Sequence, residues 1–217
     1  MSLSFFGDSS KVWIKICGIT SLEDALMAVE FGADALGFVF YPKSPRYLTV
    51  ASAAKVMLRL PPRIVKVAVV VNPSQEQIEA LEKELPIDLW QLHGEEDSKA
   101  DCWQCRNIIK ALRPPFERKM DLWEEIVHAF LLDSKSEQWG GSGIPFDWKE
   151  AAALQRHSQK PFILAGGLNP ENIQKALLEV KPFGVDVSSG VESYPGKKDK
   201  KKLSEFIEIC KKERLFH

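Results

Sequence analysis

Short β-branched and apolar runs return along this chain at nearly regular intervals, each followed by a stretch with helical spacing. Strands are expected at Val12–Cys17, Ala35–Phe40, Ile64–Val71, Leu89–Leu92, Asn107–Leu112, Ala129–Asp133, Phe162–Ala165 and Gly184–Val187. Ser21 with Glu23 and Asp24 reads as a capped helix start, and Gly32 as its stop. Further helices are expected near 50–60, 74–84, 96–104, 119–127, 147–156, 170–179 and 199–212, so that every strand is followed by one. The run Lys197–Lys202 is read as a solvated start to the last of these. In the helix near 170, Asn169 would be the cap and Pro170 the first helical residue.

Strict alternation of this kind fits either a doubly wound open sheet or a closed barrel. No Gly-x-Gly-x-x-Gly stands between the first strand and the first helix, which removes the best support for a dinucleotide-binding sheet. Strand ends near Cys17, Phe40, Asn72, His93, Leu112, Asp133, Gly167 and Ser189 are spaced by roughly 25 residues, a compact βα repeat that uses the whole chain. The expectation is one (β/α)8 (TIM) barrel over residues 1–217, with residues 1–10 as an extension of no assigned role.

Composition narrows the function classes. Forty-five per cent apolar residues suffice for one core, and a formal charge of −1 gives no field for nucleic acid or an anionic membrane. No apolar run approaches the ~18 residues of a membrane span, and the first ten residues lack a signal sequence. Four scattered cysteines (17, 102, 105 and 210) make a poor disulfide framework and suit a reducing cytoplasm. Cys102 and Cys105 have C-x-x-C spacing but no second pair to complete a zinc site, and Cys210 reads as packing.

In a barrel, chemistry gathers at the C-terminal ends of the strands. Those ends carry Lys15 and Cys17, Arg46, Asn72, His93, Asp133, Gly166-Gly167, and Asp186 with Ser188-Ser189-Gly190. Three glycine-rich loops, at Gly140–Gly143, Gly166-Gly167 and Ser188–Gly190, offer backbone N–H groups to a phosphate. Cys17 and Asp133 end strands one and six, which face each other across an eight-membered ring. Lys15 projects to the same side as Cys17 and would favour its thiolate. The ordinary alternatives are a small packing residue for Cys17, a turn residue for Asp133 and a turn cap for His93.

Seven segments, in order, make a more specific pattern: Lys15-Ile-Cys-Gly-Ile-Thr20; Gly37-Phe-Val-Phe40 with Ser44-Pro-Arg46; Gln91-Leu-His-Gly94; Leu132-Asp133; Gly140-Gly-Ser-Gly143 with Phe146-Asp-Trp148; Leu164-Ala-Gly-Gly-Leu168 with Asn169-Pro-Glu-Asn172; and Gly184–Glu192. Over about residues 11–205 the chain resembles the phosphoribosylanthranilate isomerases. The resemblance implies an Amadori rearrangement in tryptophan biosynthesis, converting N-(5-phosphoribosyl)anthranilate to 1-(2-carboxyphenylamino)-1-deoxyribulose 5-phosphate with no cofactor and no metal. It makes Cys17 the general base and Asp133 the general acid. It gives Arg46 the anthranilate carboxylate, and sets Lys15, His93 and Asp186 around the substrate. The phosphate would lie on Gly141, Ser142, Gly143, Gly166, Gly167, Ser188, Ser189 and Gly190. The partner implied is a small phosphosugar, the assembly a monomer or homodimer.

One departure is Gly-Ser-Gly-Ile in the sixth loop, where the family more usually has Gly-Thr-Gly and a basic residue. Ile144 therefore removes a cation near the phosphate end. The related histidine-pathway isomerase uses an aspartate where this chain has Cys17. Indoleglycerol-phosphate synthase relies on a lysine after strand two, near Lys43 and Arg46 here. A phosphosugar-binding regulator without turnover would need neither Cys17 nor Asp133.

Overall fold

The computed structural model describes residues 6, 10–114, 116–133, 148–155 and 158–213. Eight parallel strands close on themselves in sequence order: β1 (Trp13–Cys17), β2 (Ala35–Val39), β3 (Val65–Val70), β4 (Leu89–Leu92), β5 (Ile108–Leu112), β6 (Ala129–Leu132), β7 (Phe162–Leu164) and β8 (Gly184–Val187). β1 closes the ring by pairing with β8, Lys15 opposite Asp186. The (β/α)8 barrel read from the period of the sequence is the fold that forms.

Each strand alternates between two apolar environments. Trp13, Val39, Val67, Leu89, Ile109, Leu131 and Ile163 belong to the interior of the barrel. Their neighbours, such as Ile14, Ile16, Phe38, Val70 and Phe130, pack outward beneath the helices. This two-sided burial is why the strands read as continuous apolar runs rather than as alternating ones. Phe6 closes the N-terminal end, edge-on to Trp13 (5.4 Å between centroids) and to Phe183 (5.2 Å). The extension that had no assigned role in the sequence thus supplies an aromatic plug.

The helices are α1 (Leu22–Phe31), α2 (Val50–Met57), α3 (Gln75–Glu84), α4 (Glu117–Trp123), α5 (Trp148–Leu154), α6 (Ile173–Val180) and α7 (Lys200–Lys212). Ser21 accepts from the N–H of Asp24, and Gly32 ends α1 at φ +106°, both as expected. In α7, Leu203, Phe206, Ile207 and Cys210 are buried at helical spacing, so Cys210 is indeed a packing residue.

Three expectations need correction, and one element was not expected. The helix expected at 96–104 is only a 3₁₀ turn at Asp101–Trp103. Glu96 instead accepts the N–H groups of Asn72 and Gly94 and an ion pair from Lys110, so its carboxylate shapes a loop. α6 starts at Ile173, because Asn169 Oδ1 caps a turn by accepting from the N–H of Glu171 and of Asn172. A small hairpin, β9 (Glu192–Tyr194) and β10 (Lys197–Lys198), follows β8, turning at Gly196 with φ +88°. Finally, Lys197–Lys202 is not simply a solvated helix start. Lys197 binds Glu23 and Asp24, and the Lys198 side chain is fully buried.

Candidate active site

Cys17 is the last residue of β1, and the barrel register places it beside Gly37 on β2. A Cβ added at Gly37 would lie 2.9 Å from both the Cys17 Sγ and the Lys15 Nζ. Thiol and ammonium therefore converge over a gap that glycine alone leaves open. Lys15 is fully buried and donates to Asp186 Oδ1 at 2.7 Å across the β1–β8 seam.

Burial pushes the Cys17 thiol above its ordinary value, with Asp186 adding to the rise and Lys15 and Lys198 opposing it. Lys15 thus acts in the expected direction, toward the thiolate, but desolvation is the larger effect. Burial would lower Lys15 too, but Asp186 and Cys17 outweigh it and hold the lysine above its ordinary value.

Asp133 follows β6 directly and donates its backbone N–H to Leu112 O. Its Oδ2 lies 3.1 Å from His93 Nε2, and Arg113 Nη2 is 3.9 Å away. On its other side the imidazole meets Gln91 Nε2 at 3.1 Å from Nδ1. His93 therefore bridges Gln91 and Asp133 through its two ring nitrogens. The His93 ring thus points at Asp133 rather than capping a turn.

Cys17, Asp133, Arg46, His93, Asp186, Gly166, Gly167, Ser188 and Ser189 line a single cavity at the C-terminal end of the barrel. Lys15 sits below it. Gly166 and Gly167 both take positive φ, +79° and +71°, in the turn that follows β7. Gly190 lies beneath this rim, where a Cβ would come within 1.9 Å of Leu168 O, so the two loops after β7 and β8 are in backbone contact. Gly141, Ser142 and Gly143 lie outside the described residues.

Among the described residues, Gln91 Oε1 and the Ser188 hydroxyl are buried without a hydrogen-bond partner. Both residues line the cavity, as expected of a site shaped for a polar ligand.

Arg46 comes from the loop after β2. Its Nε and Nη2 donate to Glu192 Oε1 and Oε2 at 2.9 and 2.6 Å. Glu192 also receives the Lys198 ammonium at 2.9 Å, and Lys198 donates further to Cys17 O and Ser188 O at 2.6 and 3.3 Å. Sequence reasoning did not single out Gln91, Glu192 or Lys198. The first two stand in quoted segments, but nothing local marks them.

Cys102 and Cys105 are free thiols away from the cavity. Among the described residues no group of three or more His, Cys, Asp or Glu could hold a metal ion, and no helix is long and apolar enough to cross a membrane.

A closed parallel barrel with ionisable residues and glycine turns crowded at one mouth defines the protein as a (β/α)8-barrel enzyme. Comparison gives the family. Residues 14–209 match the model for N-(5'-phosphoribosyl)anthranilate isomerase. The isomerase of Geotalea uraniireducens is 46% identical over 200 residues, covering 91% of this chain and 98% of that one. A crystal structure of the Thermotoga maritima isomerase superposes with a TM-score of 0.85 at 44% identity, covering 93% of this chain and 99% of the other. Another isomerase structure, holding reduced 1-(o-carboxyphenylamino)-1-deoxyribulose 5-phosphate, is 41% identical, with a TM-score of 0.81 over 93% of this chain and 99% of that one. The chain belongs to the phosphoribosylanthranilate isomerase family and is an isomerase of tryptophan biosynthesis.

Proposed function

We propose that the protein catalyses the Amadori rearrangement of N-(5-phosphoribosyl)anthranilate, with Asp133 as general acid and Cys17 as general base. Asp133 gives a proton to the furanose ring oxygen. The bond from that oxygen to C1′ breaks as the anthranilate nitrogen lone pair forms the C1′=N bond. Cys17, as thiolate, then takes the proton from C2′, and the freed electron pair makes the enolamine. Tautomerisation to the ketone completes an isomerisation in which no atom is gained or lost.

The observation that carries this reading is the opening of Cys17 and Asp133, from strands one and six, into one cavity. His93 adds a differential effect. With the proton on Nε2, its bond to Asp133 would be charge-assisted, and so strongest, once the carboxyl has lost its own proton. Lys15 would help Cys17 in the same sense, since an ammonium favours the thiolate, with Asp186 holding it in place.

The reduced product bound by the relative carries a phosphate and a carboxylate. In this chain the Gly166-Gly167 turn and the N–H groups of Ser189 and Gly190 would take the phosphate, with the Ser188 hydroxyl. Arg46, a forked donor, would take the anthranilate carboxylate.

The test is the decay of phosphoribosylanthranilate fluorescence on adding purified protein without metal or nucleotide. Cys17→Ala and Asp133→Asn should each lose about 10³-fold or more in kcat while retaining inorganic phosphate binding, as removal of a general acid or base requires. Near wild-type turnover in Cys17→Ala would show the base to be another group.

A further inference from the structure

Arg46 does not stand free in the cavity. Two of its five N–H groups are committed to Glu192 in a parallel fork, and its Cδ lies where a Cβ on Gly18 would be, at 2.4 Å. Gly18, at φ +74°, thus leaves the track along which the arginine reaches its partner. The Glu192 side chain is almost fully buried, and it is fixed from behind by Lys198, whose side chain has no exposure at all. The three acceptors around Lys198 Nζ are Cys17 O, Ser188 O and Glu192 Oε1, which match the three N–H groups of an ammonium. One cation therefore ties together the end of the strand bearing the candidate base, the loop bearing the Ser188 hydroxyl and the carboxylate that holds Arg46.

We propose that Glu192, held by Lys198, is a positioning residue that sets specificity for the substrate's aromatic carboxylate by presenting the Arg46 guanidinium to it. The inference rests on the reading of Arg46 as the carboxylate's partner. An exposed arginine samples many rotamers and must be ordered at the moment of binding, at an entropic cost. Here the fork is fixed beforehand, and three N–H groups remain for a second planar anion. Because Lys198 refers Glu192 to Cys17 and Ser188, the carboxylate is also held at a set distance from the C2′ proton and the phosphate.

Two stable ligands separate this role from a merely structural one. They are reduced 1-(o-carboxyphenylamino)-1-deoxyribulose 5-phosphate and its counterpart without the carboxyl group. Arg46→Ala should weaken inhibition by the first about 100-fold and leave the second within about twofold, the size expected of a lost charge-assisted pair. Glu192→Gln should weaken the first about 10-fold with the second again unchanged, because the fork is loosened rather than removed. In the double variant the discrimination should equal that of Arg46→Ala alone, since both act through one group. Glu192→Asp, which keeps the charge to balance Lys198 but shortens the reach, replaces Glu192→Gln should that variant not fold. It should show the same selective loss.

Equal losses on both ligands in the Glu192 variants, no loss at all, or a further loss of discrimination in the double variant would each overturn the proposal. Absence of discrimination in Arg46→Ala would fail earlier and separately, at the reading of Arg46 itself, and the role of Glu192 would fall with it.

Discussion

Gly190→Ala isolates the contact between the two loops expected to hold phosphate. The glycine is not at positive φ, so alanine brings no backbone strain, only a methyl group. That methyl would lie 1.9 Å from Leu168 O and 2.9 Å from Leu168 C, and both atoms are backbone. No rotamer change can relieve the clash. To reach even a tight contact the loops after β7 and β8 must part by more than about 1 Å, a displacement that can lower catalysis ~10²-fold where geometry matters. Stability should fall by about 1–3 kcal/mol, the usual range for overpacking. The expected result is a rise in KM, and in the inhibition constant of inorganic phosphate, of about two orders of magnitude.

Gly184→Ala is the matched control. Its Cβ would meet Trp13 O at 2.8 Å, also backbone, but at the N-terminal end of the barrel. It should lower the melting temperature without changing phosphate inhibition. Phosphate inhibition within twofold of wild type in Gly190→Ala, or an equal weakening in Gly184→Ala, would refute the reasoning.

A thiolate base whose thiol is raised by burial must make kcat/KM climb with pH through the neutral range, and Lys15→Met, which removes the opposing cation, should move that limb further upward. The same raised thiol favours the protonated folded state, so its contribution to stability is complete below the unfolded value of ~8.5 and is lost as pH rises through the folded one. Chemical denaturation of Cys17→Ala should accordingly weaken less than wild type in alkali. Arg46 and Lys198 outweigh the effect of burial on Glu192 and hold its carboxyl below the ordinary value. Its stabilisation is therefore present above the unfolded value of ~4.3 and lost as pH falls through the folded one, and Glu192→Gln should show a shallower acid slope in thermal melts. Phe6→Ala should cost about 1–2 kcal/mol from lost aromatic edge contacts while kcat/KM stays at wild type, because the plug lies at the end opposite the site.

The barrel was legible because its signals are local. Each strand is an apolar run bounded by glycine or charge, and Ser21 and Gly32 mark a helix by chemistry within a few residues of its ends. The strand-end rule likewise picked out Cys17, Asp133, His93 and Asp186, which share one cavity. What escaped depends on long-range partners. Lys198 looked like part of a solvated run because its acceptors, Cys17 O among them, are remote in sequence. Glu96 had helical spacing, yet it is held by Asn72, Gly94 and Lys110. The burial of Cys17 escaped for the same reason, since sequence reveals the neighbouring Lys15 but not how completely the barrel excludes water from both. Gly37 carried no signal of its own, although its missing side chain is the space in which thiol and ammonium meet.

The link from Cys17 O to Lys198 spans 181 residues. Completion of the pocket therefore waits on residues that follow the strand closing the ring. As the polypeptide leaves the ribosome, Cys17, Asp133 and every described glycine turn of the rim emerge before Glu192 and Lys198 do. A nascent chain halted before Glu192 would hold the reactive groups without the carboxylate and the cation that fix Arg46.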